Sequence, residues 1–126
     1  MQDFKEKLKE IEKYINELPA SYVNPSKAQQ FAVEFLQLKA NAARTVMDLR
    51  ESIGDLRTRS KVEKMAAWKR ASGKTVEERR MGRDSDEEYM SAARDEELLE
   101  AEVEYAETLR DICGNYHIYY RQLADK

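Results

Sequence analysis

The chain has 126 residues, 37% of them charged, with only 4 Gly and 2 Pro, which is one domain's worth of long helices and not a mixed sheet protein. No apolar run nears the roughly 20 residues that span a bilayer, the start "MQDFKEKLKE" has no targeting character, and the single cysteine, Cys113, excludes an internal disulfide and fits a reducing, cytoplasmic location. The net charge of −3 hides an asymmetry: ten basic residues oppose three acidic ones over 57–83, giving +7, and twelve acidic residues oppose two basic ones over 84–111, giving −10.

Residues 2–18 read as an amphipathic helix, because Phe4, Leu8, Ile11, Ile15 and Leu18 step by four and three onto one stripe, and Pro19 ends it. Asn24 and Pro25 start the next helix, the one as a cap and the other at the first helical position. Its pattern runs over residues 25–71. Phe31, Phe35, Leu38, Ala42, Thr45, Leu49, Ser52 and Leu56 hold heptad spacing, with Val46 and Ile53 widening the stripe. Only Gly54 weakens it, by about 1 kcal/mol relative to alanine. Such a helix is a rod of about 70 Å, which needs a partner helix. Residues 72–85 read as a basic turn followed by a loop or a frayed helix, with Ser72-Gly73 at the bend and Gly73 as the helix cap.

Asp84, Ser85 or Asp86 then caps a last helix over 86–123. Its predicted seam is Leu98, Tyr105, Leu109, Ile112, Tyr116, Tyr119 and Leu123, beside a second line of Leu99, Val103, Ala106, Cys113 and Tyr120. A face that broad is buried by more than one neighbour. The expectation is therefore a single all-α domain: a short N-terminal helix and a long antiparallel helical hairpin. It would form a homo-oligomer through Leu109, Ile112, Tyr116, Tyr119, Tyr120 and Leu123.

Gly73-Lys74-Thr75 has the ending of a phosphate-binding P-loop, but Trp68 stands where its first glycine belongs, and no strand precedes it. Cys113 and His117 are four residues apart with no third Cys or His to complete a zinc site. No nucleophile–base set stands out either, so the expectation is a non-enzymatic protein with no metal and no cofactor. The basic segment carries the functional reading. Arg57, Lys61 and Lys64 share a helix face, Lys69 and Arg70 continue it, and Lys74, Arg79, Arg80 and Arg83 follow beyond the bend. Clustered cations beside an aromatic, Trp68, suit a phosphate backbone with a base stacked on the ring. The competing reading is that these cations pair with the acidic helix. In that case the protein is a helical interaction module (scaffold, assembly chaperone or inhibitor) whose acidic helix engages a basic partner.

The order of features over residues 31–123 resembles the UvsY-type recombination mediators of T-even and related bacteriophages. The likeness lies in a long helix, a basic stretch ending in Ser72-Gly73-Lys74, a charged loop, and the long helix "ARDEELLEAEVEYAETLRDICGNYHIYYRQL". It implies an all-helical, ring-forming protein that binds single-stranded DNA and helps a RecA-like recombinase replace the single-strand-binding protein. The family's DNA-contacting Lys-x-Arg falls on Met65 and Ala67 here, so Lys64, Lys69 and Arg70 in neighbouring turns would carry that contact.

Overall fold

The computed structural model describes residues 2–20, 22–71 and 73–125, with side chains from Phe4 onward. It is all-α: α1 spans Gln2–Asn16, α2 Pro25–Arg70, α3 Val76–Asp84 and α4 Glu87–Ala124, with no strand among the described residues. None of these helices is long and apolar enough to cross a membrane. Packing gathers into two units, one of Met1–Met47 with Glu104–Lys126 and one of Asp48–Val103.

In the first unit, α1 buries Leu8 and Ile11, with Tyr14 and Ile15 half-buried beside them. Asn24 caps α2 as its sequence predicts, its Oδ1 accepting from the Lys27 N–H at 2.8 Å. The core is aromatic. Phe35 is fully buried, edge-on to Tyr14 with centroids 5.2 Å apart and stacked on Tyr116 at 5.0 Å and Tyr120 at 5.9 Å. Phe31 lies 4.9 Å from Tyr120. Earlier α2 residues thus meet later α4 residues, which makes the pair antiparallel. His117 Nδ1 sits 2.8 Å from the Ala32 carbonyl oxygen and ties the same two helices.

Cys113 is wholly buried in this unit, and burial pushes its thiol up to about 11. The protonated thiol therefore belongs to the folded state. Its contribution is complete below the ordinary thiol range and falls as pH climbs from there towards 11, where only the unfolded chain ionises. Native protein at pH 8 is expected to resist iodoacetamide and to label once denatured, as read by mass spectrometry. Fast labelling of the native form would contradict this burial.

The second unit pairs α2 with α4 over Leu49, Ile53, Ala67, Ala92, Leu99 and Val103, all buried. Along α4 the buried line is Ala92, Leu99, Val103, Ala106, Leu109, Cys113 and Tyr120. Leu99, Val103, Ala106, Cys113 and Tyr120 are the second of the two predicted lines; of the first, Leu109 is buried, whereas Leu98 is 58% and Tyr119 52% exposed within the chain. The buried line continues through Glu96, Arg110 and His117 at the intervening three- and four-residue steps. Glu96 and His117 keep polar partners there, Arg57 and the Ala32 carbonyl, so both are tolerated in the interface.

Of the loop or frayed helix expected beyond the bend, Val76–Asp84 form the nine-residue helix α3, whose first turn is closed by Thr75 Oγ1 accepting from the Glu78 N–H at 3.1 Å. Glu78 Oε2 accepts from the Lys74 N–H at 2.8 Å. This is a variant of the Ser/Thr-x-x-Glu capping box, shifted by one donor. Gly73 does not end α2 with a left-handed cap, because no described glycine has positive φ. It is there for space, since a Cβ would lie 2.6 Å from the Glu78 Cβ. Ser72, the other half of the expected bend, lies outside the described residues.

Candidate functional site

The second unit carries the positive segment, and its cations divide into two sets. The first set is held by carboxylates. Arg57 Nε meets Glu96 Oε1 at 3.1 Å and its Nη2 meets Glu100 Oε1 at 3.2 Å, while Arg59 Nη1 meets Asp95 Oδ2 at 3.3 Å. Arg70 makes a two-pronged contact with Asp86, Nε to Oδ2 at 3.0 Å and Nη2 to Oδ1 at 2.8 Å, and reaches Glu88 at 3.2 Å. Asp86 also caps α4, accepting from the backbone N–H groups of Glu88 and Tyr89. The Arg70 guanidinium, helped by those amides, holds the Asp86 carboxyl below its usual range. Glu63 Oε2, shielded from solvent, has no hydrogen bond; Arg70 Nη2 at 3.8 Å is its electrostatic partner.

The second set is open. Among the described residues Lys61, Lys64, Lys69, Lys74, Arg79 and Arg80 form no ion pair and are exposed. Arg79 Nε does donate to the Gly73 carbonyl at 3.4 Å, which ties the start of α3 to the bend. Arg83 is half-buried and pairs only with its neighbour Asp84, at 2.9 Å.

Lys64, Met65, Trp68, Lys69 and Arg83 line one shallow cavity of about 240 Å³. Met65 and Trp68 lie three residues apart on α2 and give it an apolar floor. Lys64 and Lys69 rim it from the same helix and Arg83 from α3. Two features bring Arg83 there. The capped first turn makes residues 76–84 a helix at all, and Gly82 lets α3 sit against α2, since a Cβ on it would lie 2.9 Å from that of Ala71. A planar ring lying on the indole, with anionic groups at the rim, fits this chemistry.

Most of the predicted contact residues thus remain exposed on one unit, whereas Arg57 and Arg70 are engaged by the acidic helix. Met65 entered the sequence reading only as a missing lysine; its spacing from Trp68 was the available signal for an apolar floor. Of the residues assigned to an oligomer seam, Leu109 and Tyr120 are taken by the core of the first unit. Ile112, Tyr116 and Tyr119 line an open groove of about 500 Å³ with Leu18 and Pro19, and Leu123 is half-buried. No group of three or more metal-ligating side chains occurs among the described residues. Compared with known proteins, the chain matches no family, no curated protein and no solved structure.

Proposed function

We propose that this protein is a non-enzymatic, single-stranded-DNA-binding recombination mediator that helps load a RecA-like recombinase in place of single-strand-binding protein. The observation that carries the reading is the cavity floored by Met65 and Trp68 and rimmed by Lys64, Lys69 and Arg83. An unpaired base offers the flat face that Trp68 can stack on, and its flanking phosphates meet the rim. Lys61, one turn before Lys64, extends the positive track, and Lys74, Arg79 and Arg80 add to it from the bend and α3. Homo-oligomerisation would multiply such contacts along one strand, as the resemblance to the UvsY-type mediators implies.

The test is fluorescence anisotropy of a labelled oligo-dT over a salt series. Binding at micromolar protein or tighter is expected, with a log–log salt slope that grows by roughly 0.7 for each phosphate contacted. No binding at low salt sinks the proposal. It would favour instead an interaction module whose acidic helix engages a basic partner, a reading supported by the guanidinium groups that helix already holds.

A further inference from the structure

We infer that Glu96 and Glu100 of α4 are internal competitors for phosphate that keep Arg57 off a bound strand. This rests on the DNA-binding reading above and adds its regulation. Three observations lead to it.

The first is geometry. The Arg57 guanidinium is forked between two carboxylates, at 3.1 and 3.2 Å. Anionic oxygens at these distances satisfy a guanidinium as phosphate oxygens do. The second is exposure. The Arg57 side chain is 59% exposed and that of Glu100 46%, so a phosphate can reach the guanidinium and exchange with a carboxylate. A pair this open to water does little for stability, and of the two carboxylates only Glu96, in the seam, needs Arg57 as a packing partner. The third is position. Arg57 lies four and seven residues before Lys61 and Lys64, on the same flank of α2. Released, it would lengthen the positive track leading to Trp68 by about 10 Å from Lys64.

Carboxylate and phosphate compete for the same guanidinium. While α4 holds Arg57, the strand is bound only by the open cations, at reduced affinity, and can be exchanged. A protein that hands a strand from one coating to another needs that restraint.

The test compares the unaltered chain with the isosteric double variant Glu96→Gln, Glu100→Gln, by oligo-dT anisotropy over a salt series. Arg57→Gln is placed in both backgrounds. The double variant is expected to bind more tightly at low salt, with a slope steeper by about 0.7, one further phosphate contact. Arg57→Gln should leave the slope of the otherwise unaltered chain unchanged and lower that of the double variant by about 0.7. Equal slopes for the unaltered chain and the double variant overturn the inference, as does a slope that falls when Arg57→Gln is made alone. If circular dichroism shows the double variant to be unfolded, Glu100→Gln alone takes its place, since that side chain is 46% exposed; it is expected to steepen the slope, and an unchanged slope overturns the inference. Absence of binding by every protein overturns the DNA-binding reading and this inference together; binding with the wrong slopes overturns only the inference.

Discussion

Phe35→Ala is expected to lower stability by about 3–5 kcal/mol, the range for removing a buried aromatic side chain. Phe35 has no exposed surface and stands at the centre of the tyrosine cluster, edge-on to Tyr14 and stacked on Tyr116 and Tyr120. Its loss removes both transfer energy and the ring partner of three side chains from two other helices, α1 and α4. Small proteins of this kind have roughly 5–15 kcal/mol in total, so the variant sits near the folding threshold at 37 °C. Phe35→Leu keeps most of the volume and should cost clearly less. Urea titrations followed by near-ultraviolet circular dichroism of the tyrosines and by Trp68 fluorescence measure this in each unit. Trp68 belongs to the other unit, so its midpoint moves with the tyrosine signal only where the two units unfold together. A tyrosine midpoint shifted by less than about 1 kcal/mol would falsify the assigned core.

Much of this fold is legible in the sequence, for reasons that also explain where reading fails. The α2 stripe is legible because Phe35, Ala42, Thr45, Val46, Leu49 and Ile53 repeat at helical spacing without a charged residue among them, and all six are buried, the Thr45 hydroxyl donating back to the Asn41 carbonyl. On α4 two apolar lines are legible. The one through Leu99, Val103, Ala106, Cys113 and Tyr120 is buried, whereas Leu98, Tyr105 and Tyr119 of the other are exposed; periodicity does not say which packs inward, because the buried line also carries Glu96, Arg110 and His117. Polar residues in a seam are tolerated only with partners, and those partners, Arg57 and the Ala32 carbonyl, lie far away in sequence. α3 reads from the sequence only as a loop or a frayed helix, although Thr75-x-x-Glu78 is a start signal, because Gly82 and the density of charge argue against a firm helix. Gly82 turned out to be a contact surface for Ala71. At the site, opposite charges in two lobes are plain from composition, but which arginines pair depends on helix phase and register. Arg57, Arg59 and Arg70 face α4; Lys64 and Lys69 do not form pairs with it.

Trp68→Ala should weaken oligo-dT binding by about 1–3 kcal/mol for each base stacked on it, roughly 5- to 150-fold, while leaving the salt slope unchanged. The logic separates the two halves of the cavity. Stacking on Trp68 neutralises no phosphate, so its loss releases no fewer counterions; Lys64→Ala and Lys69→Ala remove cations and should each flatten the slope by roughly 0.7. Trp68→Phe keeps a smaller ring and belongs between the two. Folding does not blur the comparison, because the buried residue at this turn of α2 is Ala67, and Trp68 is only half-buried. Trp68 is also the chain's one tryptophan, so quenching of its fluorescence by oligo-dT reports the same contact directly. An unchanged affinity in Trp68→Ala, with no quenching in the unaltered chain, would leave the cations as an electrostatic track without a stacking platform. Binding would then lack the preference for exposed bases that the apolar floor of Met65 and Trp68 provides, and duplex of equal length should bind as well.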